Sequence, residues 1–251
     1  MTRYRVGVDI GGTFTDIVFL GEDGRRLTKK VSSTADNYAT AIVDGLAELI
    51  RECHLDDAEI VELLHGTTVA SNAILELKGA RTGLITTKGF RDVLEIRTLR
   101  MPRLYDLSWT KPPPLVERHL RVEVDERISA KGGIERPLAE TDVVRAVKKL
   151  VDKGVEAIAV CLIHSYLNPV HEQLVKKVAA QMAPALTLCI SSEVLPEIKE
   201  YERTSTTVIN AYVRPVVEKY LSTLTAELAR IGVVTPRTQK VTFNADPEFA
   251  V

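Results

Sequence analysis

Hydrophobic and polar positions along the chain fall into two successive patterns. Tyr4 to Val8 is a short apolar run that reads as a strand, Asp16 to Leu20 as a second, and about Arg26 to Ser32 as a third. Gly21-Glu22-Asp23-Gly24 is the turn between the last two, with the Asp-Gly signature of a hairpin. Two hairpins in succession predict an antiparallel meander rather than a strand–helix–strand unit. The period then changes: Ala39, Ile42, Val43, Leu46, Leu49, Ile50 and Cys53 share one helical face, and Asp36 or Asn37 is placed to cap its start. Ile60 to Leu64 is an apolar strand. Thr67 or Thr68 caps a helix running to about Lys78, with Gly79 as its C′ residue. Arg81 to Thr86 is a further strand and Phe90 to Ile96 a short helix.

Regularity lapses from Thr98 to about Arg121. Met101-Pro102-Arg103 and Lys111-Pro112-Pro113-Pro114 predict an extended, proline-stiffened excursion, a lid or an interface loop. Val122 to Ile128 alternates like a strand and Lys131-Gly132-Gly133 is a turn. A second block follows: helix Thr141 to Lys153 closed by Gly154, strand Val155 to Ile163, helix Val170 to Met182, strand Leu186 to Ser191. That alternation is the signature of a parallel, doubly wound layer. The last element is a long helix from Glu197 to Ile231, in which Pro215 marks a break or a new first turn and Gly232 the end.

Composition narrows the class. With 251 residues, 45% of them hydrophobic, the chain is long enough to bury a core in one large or two small domains. A formal net charge of −1 and scattered basic residues argue against nucleic acid and anionic membranes. Cys53, Cys161 and Cys189 form no C-x-x-C pair, and the latter two sit in apolar runs as small core residues. No apolar run is long enough to span a bilayer, and the expectation is a soluble, reducing, cytoplasmic setting.

Candidate chemistry concentrates in Gly7-Val8-Asp9-Ile10-Gly11-Gly12-Thr13-Phe14-Thr15-Asp16, which joins two strands of a hairpin. Adjacent glycines let an anion approach the backbone, so that consecutive N–H groups form a phosphate cradle. Thr13 and Thr15 offer hydroxyl donors, and Asp9, at the end of the first strand, is placed to hold magnesium through water. The bland alternative is a tight hairpin that needs glycine for its backbone angles. G-x-x-x-x-G-K-[ST] is absent, and no helix follows the glycines, so neither the Walker loop nor the dinucleotide fingerprint applies.

The Asp9-Ile10-Gly11-Gly12-Thr13 segment after an amino-terminal strand resembles the first phosphate-binding segment of the acetate and sugar kinase/Hsc70/actin superfamily. Several further stretches narrow the resemblance to the hydantoinase A/5-oxoprolinase family: His65-Gly66-Thr67-Thr68-Val69-Ala70-Ser71-Asn72-Ala73, Lys78-Gly79-Ala80-Arg81-Thr82, Thr87-Lys88-Gly89-Phe90-Arg91-Asp92, His164-Ser165-Tyr166-Leu167-Asn168-Pro169, and Ser192 through Thr207. The resemblance covers about residues 3 to 231. It implies an α/β fold with a ribonuclease H-like start (antiparallel meander plus helices), a second α/β block and a long C-terminal helix. Domain limits follow: 1–190 as the N-terminal domain with the first phosphate loop, 191–232 as the start of the main domain, and 233–251 as an atypical, disordered tail.

The resemblance also implies ATP and Mg2+ as cofactors, a small cyclic amide as substrate, and phosphorylation of the amide carbonyl before water opens the ring. Acetone carboxylase subunits share the architecture and activate a ketone instead. The second phosphate loop and adenosine site of such enzymes lie beyond this sequence, in a separate C-terminal half, and a hydantoinase B-type subunit is the implied protein partner. A truncated, non-catalytic interaction module that keeps a phosphate-binding half-site is the rival expectation. Asp9 is the expected metal residue, with Gly11, Gly12, Thr13, Thr15 and Asp16 on the nucleotide. Thr67 and Thr68 are expected at the substrate, or as helix caps. His65 is a candidate for acid–base chemistry or for ordering its turn by a backbone hydrogen bond. Glu202 and Arg203 are catalytic candidates on the resemblance, although acidic residues at a helix start also suit the dipole. His164 and His171 straddle a strand-to-loop boundary and would need a third ligand to hold a metal.

Overall fold

The computed structural model describes residues 3–33, 38–55, 60–98, 105–106 and 108–233. Asp36, Asn37, Met101-Pro102-Arg103 and the tail after Val233 lie outside the described residues. By their contacts, residues 1–68 with 220–251 form one compact unit and 69–219 a second.

In the first unit, the strands β1 (Tyr4–Ile10), β2 (Phe14–Gly21) and β3 (Arg26–Ser32) form the expected meander. β4 (Ile60–Thr67) adds in parallel to β1, so the order is β3-β2-β1-β4. The alternation in β1 is strict: Tyr4, Val6, Val8 and Ile10 are buried and Arg5 and Asp9 are exposed. Thr15, Ile17 and Phe19 of β2 are buried in step with them, and Tyr4 meets Phe19 edge-on at 6.0 Å between ring centroids. Helix α1 (Tyr38–Glu52) covers that face with Ile42, Leu46 and Leu49. Gly45 lets it settle closely, because a Cβ there would come 2.5 Å from Ile17 Cδ1 and 3.2 Å from Val31 Cγ1. The opposite face is open, with Phe14, Leu20 and Leu64 exposed.

The second unit is built on a parallel sheet of order β10-β9-β5-β6: β5 is Thr82–Thr87, β6 Arg121–Val124, β9 Ala157–Cys161 and β10 Thr187–Ile190. Both central strands are buried at every position, as expected where both faces of a parallel sheet are covered. The sheet thus draws in β5, which precedes the proline-rich excursion in sequence. The expected single strand Val122 to Ile128 is two: β6 stops at Val124, and β7 (Arg127–Ile128) pairs with β8 (Ile134–Arg136) as a small hairpin. Helices α4 (Glu140–Val151) and α5 (Val170–Met182) complete the layers with Val143, Val147, Leu150, Val175 and Val178. Two one-turn helices, α3 (Val93–Ile96) and α6 (Ser191–Val194), occupy loops.

Two local expectations are corrected. Helix α2 (Val69–Leu75) ends short of Lys78, and its left-handed C′ residue is Leu77 (φ 54°), not Gly79. The Lys78 amide donates to Ala73 O (2.9 Å) and the Leu77 amide to Ile74 O (3.2 Å), the two bonds of a Schellman ending. Gly79 is required instead by close approach, since a Cβ would lie 2.1 Å from the ring of Tyr212. An exposed L-residue in that conformation is strained, so Leu77→Gly is expected to raise unfolding stability by about 1 kcal/mol. Urea denaturation measures it, and an unchanged midpoint would mean that the leucine side chain offsets the strain. The second correction is Pro215. Helix α7 (Glu200–Arg230) runs through it without a break. Buried Val208, Ala211, Tyr212 and Val217 flank the proline, and their burial offsets the one missing N–H donor.

Candidate phosphate and metal site

The register of β1 on β2 sets the loop. Asp9 lies opposite Asp16 and Ile10 opposite Thr15, leaving Gly11, Gly12 and Thr13 to make the connection with Phe14. The Gly11 amide donates to Phe14 O (3.0 Å), and a Cβ on Gly11 would come 3.1 Å from that same oxygen. A side chain at Gly11 would therefore crowd that carbonyl, and the loop would have to give by a few tenths of an ångström to take it. The amides of Gly12 and Thr13 have no acceptor among the described residues, and both residues are exposed. Two consecutive amides without a partner, in exposed residues, can serve an oxyanion.

Ser33, just beyond β3, braces this loop, and nothing in the local sequence pattern points to it. Its amide donates to Thr13 O (2.9 Å), its hydroxyl to Gly11 O (2.9 Å), and its Oγ lies 2.9 Å from Thr15 Oγ1. The Thr15 side chain is thus fully buried and engaged with Ser33, whereas Thr13 is exposed. On the other side Thr68, immediately before α2, donates its hydroxyl to Ile10 O (3.3 Å) and ties the end of β4 to the end of β1.

Asp9 and Asp16, directly opposed, share the open face of the sheet. Gly66 of β4 lies beside Asp9, and even a Cβ there would keep 3.5 Å from Asp9 Oδ1, so the carboxylate rests over bare backbone. Lys30, opposite Asp16 on β3, places Nζ 3.2 Å from both carboxylate oxygens of Asp16 and 5.2 Å from the centroid of the Phe14 ring. Two like charges directly across strands repel. A cation beside them removes the penalty, and Lys30 does so for Asp16 only. No group of three or more His, Cys, Asp or Glu side chains suited to a metal occurs among the described residues. A metal here would have few protein ligands and keep its water, which suits magnesium.

His65 and Thr67 point the other way. They pair with Val8 and Ile10, whose side chains lie on the buried face. The His65 ring lies 5.8 Å from the ring of Tyr220 in α7, and burial holds the imidazole below its usual pKa, neutral at pH 7. Burial likewise pushes the Tyr220 phenol up, with a smaller opposing influence from Thr67; its hydroxyl reaches no partner at hydrogen-bond geometry. Asp9 and Asp16 therefore occupy one face of the sheet, and Thr15, His65 and Thr67 the other.

Glu202 and Arg203 belong to the second unit. Glu202 is half-exposed, 3.9 Å from Lys199. Arg203 is fully buried: Nη1 donates to Leu162 O (2.8 Å), to Ser191 Oγ (2.9 Å) and to Ser165 Oγ, with the guanidinium 5.6 Å over the Tyr166 ring. Ser191 in turn donates to buried Glu172 (2.7 Å), which also accepts the amides of Leu162 (2.9 Å) and Ser192 (2.8 Å). This bridged pair fastens the start of α7 to the end of β9. His171 is buried too, with Nδ1 2.7 Å from Glu126 and Nε2 accepting from the Leu138 amide at 3.3 Å. Both ring nitrogens are in use, so His171 offers no metal ligand.

The model of the hydantoinase/oxoprolinase N-terminal region matches residues 5–183. The chain is 37% identical over 240 residues to the caprolactamase subunit alpha of Pseudomonas jessenii, covering 93% of this chain and 34% of that protein. The crystal structure of the ATP-dependent caprolactamase from that organism superposes with a TM-score of 0.86 at 36% identity, over 93% of this chain and 35% of that one. Nucleotide-free acetone carboxylase superposes with a TM-score of 0.81 at 26% identity, over 92% and 35% respectively. 5-Oxoprolinase 1 of Arabidopsis thaliana is 33% identical over 250 residues, 88% of this chain and 20% of its own length. The chain thus spans about a third or less of the relatives it matches. On the family model and the fold together, the chain belongs to the hydantoinase/oxoprolinase family, in the N-terminal region of that family's proteins.

Proposed function

We propose that this chain supplies the first phosphate-binding segment of an ATP-dependent hydrolase that opens cyclic amides by phosphorylating the amide carbonyl oxygen. The observation that carries the reading is the juxtaposition of two unpartnered loop amides, of exposed Gly12 and Thr13, with two opposed carboxylates, Asp9 and Asp16, on one open sheet face. An amide carbonyl is a poor electrophile, and magnesium–ATP supplies the phosphoryl group that turns its oxygen into a leaving group. In this reading the Gly12 and Thr13 amides and the Thr13 hydroxyl hold phosphoryl oxygens. Asp9 orients a water of the magnesium shell, and Asp16, with Lys30, sets the charge of the same face. Thr15, Thr67 and Thr68 brace the loop and strand ends, and His65 positions the end of β4 against Tyr220.

The remainder of the nucleotide site and the amide pocket belong, in this proposal, to sequence outside these 251 residues, since the matched relatives are about three times as long or longer. A hydantoinase B-type subunit is the proposed partner, supported by relatives that are themselves subunits of larger enzymes. A cytoplasmic setting goes with ATP use, and no described helix is long and apolar enough to cross a membrane.

Calorimetric titration of the chain with magnesium–ATP tests the reading. Saturable binding is expected, weakened about tenfold by Ser33→Ala, which removes the hydroxyl bonds to Gly11 O and Thr15 Oγ1. A folded chain that takes up no magnesium–ATP would instead be an interaction module retaining the loop as a remnant.

A further inference from the structure

The stretch Thr87-Lys88-Gly89-Phe90-Arg91-Asp92 takes no part in the loop site, and its first two residues line a cavity elsewhere. The cavity, about 250 Å³, is lined by Thr87, Lys88, Glu126, Arg127 and Arg136. It lies just outside the carboxyl ends of the parallel strands β5 and β6, where open α/β sheets place ligands. Its charge is unusual. Arg127 and Arg136 stand directly opposite each other across the β7–β8 hairpin, an arrangement that repels unless an anion offsets it.

The surrounding acids answer Arg136 and Lys88 in part, through Asp125, but none of them pairs with Arg127 among the described residues. Asp125 is already held by Arg136 and lies 3.5 Å from Lys88 Nζ, and Arg136 beside it holds its carboxyl below the usual range. Glu126 turns both oxygens inward, to the Thr87 hydroxyl and to His171, and its side chain is sealed from solvent. Glu123 is engaged by the Gly89 amide at 2.7 Å. Arg127 makes no ion pair among the described residues; its guanidinium carbon lies over the Phe90 ring, 5.2 Å from the centroid. The aromatic platform holds the guanidinium in place with its N–H groups free for a planar oxyanion.

We propose that this cavity is a binding site for a small oxyanion, a carboxylate or a phosphate, taken by Arg127 with Lys88 and Arg136. The site is separate from the Gly11–Thr13 loop and goes beyond the nucleotide reading. Its chemistry suits either the carboxylate of a ring substrate or inorganic phosphate, and the two are told apart by titration.

The test is calorimetric titration of the full chain, at low ionic strength, with inorganic phosphate, with a five-membered lactam bearing a carboxylate, and with the same lactam lacking it. At least one oxyanion is expected to bind, with the uncharged lactam silent. Arg127→Ala should weaken that binding about tenfold or more, and Arg127→Lys by less, with unchanged thermal unfolding. Preference for the carboxylated lactam assigns the site to substrate, and preference for phosphate assigns it to the inorganic ion. Asp9→Ala should leave the affinity untouched, so that failure of the nucleotide site and failure of this one are distinguishable. No binding of either oxyanion, equal binding of the uncharged lactam, or full affinity in Arg127→Ala would overturn the proposal.

Discussion

Asp9→Ala is expected to lower the affinity for magnesium–ATP about 10–100-fold while leaving the fold as stable as before or slightly more so. The two halves of that expectation have separate causes. Asp9 is exposed and faces Asp16 across the β1–β2 ladder without a counter-charge of its own, since Lys30 sits on Asp16. Removing one of two opposed carboxylates relieves a cross-strand repulsion on the order of a few tenths of a kcal/mol. In the proposed site, the same removal would deprive a hydrated magnesium ion of the acceptor that orients its water. A calorimetric titration with a parallel denaturation curve reads both. Lost binding with an unchanged or higher midpoint supports the metal role, whereas unchanged binding would remove Asp9 from the site. Lost binding with lost stability would assign Asp9 to the fold.

For Arg203→Met the expected effect is on folding, a loss of about 3–5 kcal/mol. The substitution keeps volume but removes the donor to Leu162 O, Ser165 and Ser191, and leaves Glu172 as a buried carboxylate without the cation that Ser191 links it to. Breaking one half of such a pair is far more damaging than replacing both. Arg203→Met combined with Glu172→Gln is therefore expected to recover part of the loss. Urea denaturation of the two variants decides the matter, and a single-variant loss under about 1 kcal/mol would show the bridge to be dispensable. Any catalytic part for Arg203 has to be read against this effect, because a loss of activity in a partly unfolded variant says nothing about chemistry.

Much of the site was legible in the primary structure. The glycine pair between two apolar runs announced a tight loop, and the aspartate ending the first run announced a carboxylate at its mouth. The long motifs pointed to a family that the comparisons bear out. Less legible was what holds the loop. Ser33 acts on Gly11, Thr13 and Thr15 from 18 to 22 residues away, and only the pairing of β3 on β2 brings it there. Gly79 was visible as a special position, but its reason, the ring of Tyr212, comes from a helix more than a hundred residues on.

By itself the sequence determined the order and kind of most elements, the antiparallel opening and the parallel second block, while strand ends shifted by a few residues and the run Val122 to Ile128 divided in two. These are local properties, carried by the period of apolar positions and by turn chemistry within a few residues. Only the tertiary structure decided that Asp9 and Asp16 share an open face while His65, Thr67 and Thr15 turn inward. It also decided that β5 lies between β9 and β6, and that Arg127 meets Arg136. The physical reason is that alternation tells which residues of one strand lie together, but not which face a helix will cover or which distant strand will pair. Those choices are made when apolar faces from remote parts of the chain are buried against each other, and that burial has no local signal.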